Sequence, residues 1–209
     1  MLRITEKFWS KKYLNLYKRL GKNKHSEHGE DSVIEAVFGK KKGYFVDVGA
    51  WGDISSNTLA LIERGWRGLW IDKNPLTFHE IDNHITFYKG FVIFDQLEIS
   101  KTNLSGILDK FKVPRNLDFL SIDIDSYEYE VWENLDKKYK PKLVCIEVNG
   151  MEDSFDVENY DPEYTKGKGG YGGATIGLMN KLANKKGYDY LCWDVSNVFY
   201  IRQDYVKKM

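Results

Sequence analysis

The chain has 209 residues, with 31 Lys and Arg against 31 Asp and Glu, and 42% of its residues are hydrophobic. This composition favours a single globular domain with a sizeable core, and the zero formal net charge argues against nucleic-acid binding through a global positive field. Two cysteines and no apolar segment of roughly 18 residues exclude a disulfide scaffold and a membrane span, so we expect a cytoplasmic protein.

The first 24 residues form a distinct basic segment, with eight Lys or Arg and one acid, Glu6. Apolar residues recur there at approximately helical spacing: Ile4, Phe8, Leu14, Tyr17 and Leu20. The pattern predicts a basic amphipathic helix over residues 1–24, followed by a single domain over residues 25–209. The helix could pack on the domain edge with a solvated basic face, or it could associate weakly with a membrane surface or an anionic substrate.

From residue 43 onward, short apolar runs alternate with amphipathic stretches. Runs that are apolar throughout are typical of parallel strands covered on both faces, and helices between them indicate βαβ units. The sequence therefore predicts an α/β fold with a doubly wound, mostly parallel sheet. The predicted strands cover residues 44–48, 68–72, 86–88, 119–124, 142–148, 188–194 and 198–202. The predicted helices cover residues 32–38, 56–64, 76–83, 129–135 and 176–185, and Gly187 ends the last of them.

Residues 150–175 break this rhythm and contain the Gly-rich stretch GKGGYGGAT. A loop of this length in a compact domain is usually a lid or a binding segment. It could also be an ordinary surface excursion.

The first strand leads into a glycine turn, Val46-Asp47-Val48-Gly49-Ala50-Trp51-Gly52, and then into a helix. Glycines let a ligand approach the backbone, and a helix N-terminus offers free N–H groups. The turn lacks both the G-x-G-x-x-G of dinucleotide folds and the Lys of a phosphate-binding P-loop. Asp72 ends the second strand about 20 residues further on, where an acid would bind a ribose diol. The turn and this acid together indicate an adenosine-type cofactor.

A second set of polar residues lies at the ends of two other predicted strands. Asp123 and Asp125 follow the fourth strand, and Glu147 and Asn149 follow the fifth. Three acids and an amide at adjacent strand ends would repel one another unless a hard divalent cation such as Mg²⁺, Mn²⁺ or Ca²⁺ lies between them. Alternatively, one acid caps the following helix and another pairs with Lys73 or Arg67.

His28 precedes a predicted helix in the stretch His28-Gly29-Glu30-Asp31. The two acids suit the first turn of that helix through its dipole, although His28 could also act as a base, or the segment could cover a cofactor. The four histidines show no metal-ligand spacing, and no G-x-S-x-G elbow occurs, which disfavours nucleophilic hydrolase chemistry.

Together, these segments resemble the FkbM-like methyltransferases, a class I S-adenosylmethionine-dependent family found in bacterial glycan and antibiotic tailoring clusters. The matching stretches run in order over residues 28–202: HGEDSVIEAVF, FVDVGAWGDISSNTLALIERGWRGLWIDKNP, LDFLSIDIDSYEYEVWENL, PKLVCIEVNG, GATIGLMNKLANKKGYDYLCW and NVFYIR. The resemblance implies a Rossmann-like sheet of seven strands of the class I methyltransferase type.

The resemblance also implies which residues form the site. Asp47, Gly49 and Gly52 match the methionine-binding loop, and Asn57 and Thr58 match a polar pair at the next helix. Asp72 matches the acid that holds the ribose hydroxyls, and Asp123 matches a position near the methyl group. Asp123 or His28 would then be the catalytic base.

The stretch SIDIDSY is also similar to the metal-bearing acidic stretch of sugar O-methyltransferases. The implied metal ligands are Asp123, Asp125, Glu147 and Asn149. The chain departs from the catechol-type pattern, because one residue separates Glu147 from Asn149. It also has Trp51 and Asp53 where small residues often lie in the first loop.

The implied reaction is in-line attack by a substrate oxygen on the sulfonium methyl of S-adenosylmethionine. The resemblance points to a carbohydrate or nucleotide-sugar acceptor, such as a capsule or O-antigen precursor, over which residues 160–173 could fold. Two alternatives remain open: a non-catalytic binding module with the methyltransferase fold, and an RNA methyltransferase anchored by residues 1–24.

Overall fold

A computed structural model describes residues 5–22, 24–50, 56–74, 92–125, 127–148, 174–194 and 196–207. Its strands are β1 (Tyr44–Val48), β2 (Arg67–Asp72), β3 (Val92–Gln96), β4 (Phe119–Ile122), β5 (Leu143–Glu147), β6 (Tyr188–Trp193) and β7 (Asn197–Arg202). The helices among the described residues are α1 (Leu14–Tyr17), α2 (Glu30–Phe38), α3 (Leu59–Glu63), α4 (Leu104–Lys110), α5 (Glu128–Asn134), α6 (Ile176–Lys186) and α7 (Gln203–Val206).

The strands form one seven-stranded sheet in the order β3-β2-β1-β4-β5-β7-β6. The pairs among β1 to β5 are all parallel, whereas β7 runs antiparallel to both β5 and β6. The predicted doubly wound, mostly parallel sheet is therefore confirmed. The strand order reverses between β1 and β4, which opens a crevice beyond the carboxyl ends of these strands.

Helices cover the sheet on both faces, which explains why the central strands β1, β4 and β5 are buried over almost their whole length. On one face, α1, α2 and α3 pack with Trp70 and Phe119 of the sheet. On the other face, α4, α5 and α6 contribute residues such as Trp132 and Met179 to a second core. Among the described residues, no helix combines the length and the hydropathy that crossing a bilayer requires.

The third strand and helix α4 differ from the prediction. The strand that pairs with β2 is Val92–Gln96, with Gly68 opposite Val92, whereas the sequence predicts a third strand at residues 86–88. Those residues, and the helix predicted over residues 76–83, lie outside the described residues. Helix α4 is absent from the prediction, because its sequence LSGILDK contains a glycine and a serine, which are weak helix formers.

The continuous helix predicted for the N-terminal segment is wrong over the part that the structure describes. The chain instead forms two 3-10 turns, Glu6–Phe8 and Lys11–Tyr13, before the short α1. Between the turns, Trp9 forms an antiparallel bridge with Cys192 of β6, and the Ser10 N–H donates to the Leu191 carbonyl at 2.8 Å. Pairing with the sheet edge therefore overrides the helical pattern and covers backbone groups of an edge strand.

The turn after β1 brings two strand ends into close backbone contact. Gly49 has a φ of +81°, and a Cβ atom there would lie 1.5 Å from the Asp123 carbonyl oxygen. The Asp123 N–H donates to the Val48 carbonyl at 2.9 Å, and the Gly49 N–H donates to the Ile71 carbonyl at 2.9 Å. Only glycine satisfies both the dihedral angle and the space.

Replacing Gly49 with alanine should destabilise the protein by at least about 2 kcal/mol, because the backbone must move away from Asp123 and adopt a strained φ. Chemical denaturation measures the free energy of unfolding. Gly106→Ala is the matched control: Gly106 lies in α4 with open space around its Cβ position, so this change should stabilise the protein by about 0.5–1 kcal/mol. Equal stabilities of the Gly49 variant and the wild type would contradict this account.

Candidate functional site

A cleft of about 400 Å³ lies beyond the carboxyl ends of β1, β2 and β4. Six of the residues singled out from the sequence line it: Asp47, Gly49, Asn57, Asp72, Asp123 and Asp125. The folded chain thus brings the glycine turn, the acid after β2 and the acids after β4 to one place, as expected at the point where the strand order reverses.

Asp47 anchors the start of the helix that follows the glycine turn. Its Oδ2 accepts a hydrogen bond of 2.7 Å from the Thr58 hydroxyl, which in turn accepts one of 2.7 Å from the Trp70 indole N–H. Burial raises the pKa of Asp47 from 3.8 to about 6, against the hydrogen bonds from Thr58 and Ser121, which lower it. The carboxyl group therefore holds the local structure together through Thr58.

Asp72 is the last residue of β2 and lines the side of the cleft at the end of that strand. Its Oδ1 accepts a 2.7 Å hydrogen bond from the Asn74 N–H, and partial burial raises its pKa. Leu97 and the buried Ile99 line the same cleft after β3. A hydrogen-bonding acid thus lies next to an apolar wall.

Asp123, Asp125 and Glu147 form an acidic cluster in which one oxygen of each carboxyl group lies within 4.8 Å of the others. Burial raises the pKa of both Asp123 and Glu147, and repulsion from the neighbouring carboxylates raises it further. Asp125 has a φ of +61°, an uncommon conformation for a residue other than glycine. The cluster therefore favours either a proton or a cation between its carboxyl groups.

Three predicted site residues are placed elsewhere or not described. His28 is buried, and its backbone N–H donates to Glu30 Oε2 at 2.9 Å. It is not among the described residues that line the cleft. Gly52 and Asn149 lie outside the described residues, as does the Gly-rich stretch before Ala174.

Glu30 and Asn197 also lie in the cleft, although the sequence does not predict either of them as a site residue. Glu30 is only 1% exposed and Asn197 only 4%, and both line the cleft. Asn197 Nδ2 donates to Glu30 Oε1 at 3.1 Å. The residues are 167 positions apart, so no local pattern connects them, and the position of Glu30 in a first helical turn already has a simpler explanation.

The shifted pKa of Asp47 predicts a specific pH dependence. The folded state binds this proton more tightly than the unfolded state, so Asp47 makes the wild type progressively less stable as pH rises from about 4 through about 6. Asp47→Asn keeps an acceptor for Thr58 but cannot titrate. Lowering the pH from about 7 to about 4 should therefore raise the stability of the wild type, relative to the variant, by up to about 3 kcal/mol. Denaturation curves at several pH values measure this difference, and parallel curves would contradict it.

The sequence and the fold both match known proteins. The family model of the methyltransferase FkbM domain matches residues 55–190, well over half of the chain. No curated protein sequence matches the chain significantly.

Among solved structures, a candidate O-methyltransferase from Klebsiella pneumoniae superposes with a TM-score of 0.56 at 10% identity, covering 90% of this chain and 87% of that one. A candidate caffeoyl-CoA O-methyltransferase from Staphylococcus aureus gives 0.54 at 11% identity, covering 91% and 90%. An O-methyltransferase family protein from Burkholderia thailandensis gives 0.52 at 13% identity, covering 84% of this chain but 60% of that one. These structures support the fold, whereas the family model supports the activity. The chain belongs to the FkbM methyltransferase family and is an S-adenosylmethionine-dependent methyltransferase.

Proposed function

We propose that this protein is an O-methyltransferase that transfers the methyl group of S-adenosylmethionine to a hydroxyl of a carbohydrate or nucleotide-sugar, such as a capsule or O-antigen precursor. The observation that carries the proposal is the arrangement of the cleft, in which a glycine turn lies between Asp72 and the pair Asp123 and Asp125. This pair forms an acidic cluster with Glu147. The two buried free cysteines agree with a cytoplasmic location, where nucleotide-sugars are used.

The residues on the Asp72 side of the cleft suit the adenosine part of the cofactor. The Asp72 carboxylate can accept hydrogen bonds from ribose hydroxyls, and Leu97 and Ile99 offer an apolar surface for the adenine ring. Gly49 lets the methionyl part approach the backbone, and Asn57 lines the same cleft. When bound, S-adenosylmethionine supplies an electrophilic methyl group, and the protein has to align the acceptor oxygen and remove its proton.

The acidic cluster suits a divalent cation. Its three carboxyl groups offer oxygen ligands, which Mg²⁺ and Mn²⁺ prefer, and a cation would offset the repulsion that raises the pKa of Asp123 and Glu147. The buried Oε2 of Glu147 has no hydrogen-bond partner among the described residues. Asn149 follows two positions later and would complete the proposed ligand set. A cation there would bind vicinal hydroxyls and lower the pKa of one of them.

In this proposal, Asp123 removes the proton of the acceptor hydroxyl when no cation is bound. Asp123 lines the cleft, and its raised pKa suits a general base near neutral pH. His28 is the less suitable base, because it is buried outside the described cleft lining and its backbone is fixed to Glu30. The acids of the cluster can also accept hydrogen bonds from several hydroxyls, which supports a sugar as the acceptor.

Calorimetric titration with S-adenosylmethionine and transfer of a labelled methyl group to a panel of nucleotide-sugars test this function. We expect binding, and label on a sugar hydroxyl. Asp72→Ala should weaken binding about tenfold to hundredfold, because it removes a charged hydrogen-bond acceptor. Glu98→Gln, at an exposed acid of the same cleft, is the control and should bind like the wild type. Binding without transfer would indicate a binding module, and label on RNA rather than sugar would indicate an RNA methyltransferase.

Removal of divalent cations tests the proposed metal. After treatment with EDTA, methyl transfer should fall at least about tenfold and recover with Mg²⁺ or Mn²⁺. Asp125→Asn should weaken Mn²⁺ binding, measured directly by calorimetry, because it removes one anionic ligand from the cluster. The matched control is Asp95→Asn, which changes an acid in β3 that pairs with Lys110. If EDTA leaves the activity unchanged, Asp125 and Asn149 are not ligands of a catalytic metal.

A further inference from the structure

Glu30 is a buried carboxylate that lines the cofactor cleft without a cationic partner in the described part of the chain. Its oxygens accept hydrogen bonds from the His28 N–H at 2.9 Å and from Asn197 Nδ2 at 3.1 Å, both neutral donors. A buried carboxylate is costly unless positive charge offsets it. The surroundings of Glu30 therefore suit a ligand that carries a positive charge.

Asn197 gives a second, independent indication that this place binds a ligand. Because its Nδ2 donates to Glu30, its Oδ1 faces away from that carboxylate. This Oδ1 is buried and has no hydrogen-bond partner among the residues that the structure describes. An unsatisfied buried amide oxygen costs about 1–3 kcal/mol, so a donor from a ligand would stabilise it. Glu30 and Asn197 together offer acceptors to a charged group that has several N–H donors.

The position of the pair along the cleft identifies that group. Asn197 is opposite Glu147 in the ladder between β5 and β7, whereas Asp72 ends β2 on the other side of β1 and β4. Gly49 lies between them at the end of β1. A cofactor whose ribose binds Asp72 and whose chain passes Gly49 directs its methionyl end toward Glu30. The methionyl group ends in an α-ammonium, whereas the sulfonium has no N–H to donate.

We propose that Glu30 and Asn197 bind the α-ammonium of S-adenosylmethionine, with Glu30 supplying the charge and Asn197 both a hydrogen-bond acceptor and the anchor of Glu30. This inference rests on the proposed function, because it takes the cofactor to lie between Asp72 and β7. It assigns to α2 and β7 the recognition of the end of the cofactor that is farthest from the ribose. Both elements lie outside the glycine turn.

Two nucleosides distinguish binding at this subsite from binding in the rest of the cleft. S-adenosylhomocysteine has the α-ammonium, whereas 5′-methylthioadenosine has the same adenosine and thioether without the amino-acid group. In calorimetric titrations, Glu30→Gln should weaken S-adenosylhomocysteine binding about tenfold to hundredfold and leave 5′-methylthioadenosine binding within about twofold of the wild type. Asn197→Ala should change binding in the same direction.

Glu27→Gln is the matched control, because Glu27 is an acid of the same segment that also lines the cleft but has a largely exposed side chain. It should bind both nucleosides like the wild type. Thermal unfolding checks that each variant is folded, and Asn197→Ala provides the same comparison if Glu30→Gln does not fold. Two outcomes would overturn this inference but not the proposed function. One is equal binding of S-adenosylhomocysteine by the wild type and a folded Glu30 variant, and the other is an equal loss of affinity for both nucleosides. A wild type that binds neither nucleoside would overturn the proposed function as well.

Discussion

The contact between the Gly49 turn and the Asp123 carbonyl is the constraint on which the rest of the site depends. It joins the ends of β1 and β4, the two strands between which the sheet order reverses, without a side chain between them. Because the two backbones meet there, the Asp123 carboxyl group enters the cleft directly beside the turn. Asp125 then reaches the same cluster through a left-handed backbone conformation. A bulkier turn would separate the cofactor loop from the acids that are proposed to act on the acceptor.

The concentration of acidic residues in the cleft is the second organising feature. The chain as a whole is neutral, yet the cleft gathers Asp47, Asp72, Asp123, Asp125 and Glu30. Burial disfavours the ionised forms of Asp47, Asp72 and Asp123, and it raises the pKa of each of them. A cationic cofactor and a divalent cation would offset this cost on binding, so affinity for them is gained at the expense of stability in the free protein.

The sequence predicts those parts of the fold that have strong local signals. β1, β4 and β5 are runs of buried apolar residues, and Gly187 ends α6 in a left-handed conformation. The position of the third strand was not predictable, because residues 84–96 contain two apolar runs and only the register with β2 selects the second. The same holds for Trp9, whose pairing with Cys192 is a long-range contact. Asp72 and Asp123 could be predicted because each ends its own strand, whereas Glu30 and Asn197 acquire their relation only through the tertiary fold.

The attachment of the N-terminal segment to the last hairpin has a consequence for the order of assembly. Lys12 pairs with Asp189, 177 positions later, and the Tyr190 hydroxyl donates to the Phe8 carbonyl across 182 positions. During synthesis, residues 8–12 therefore cannot find these partners until residues 189–192 have also been made. Until then, Trp9, Tyr13 and Leu16 are exposed apolar groups that a chaperone can bind. This edge of the sheet thus closes only after both segments have been synthesised.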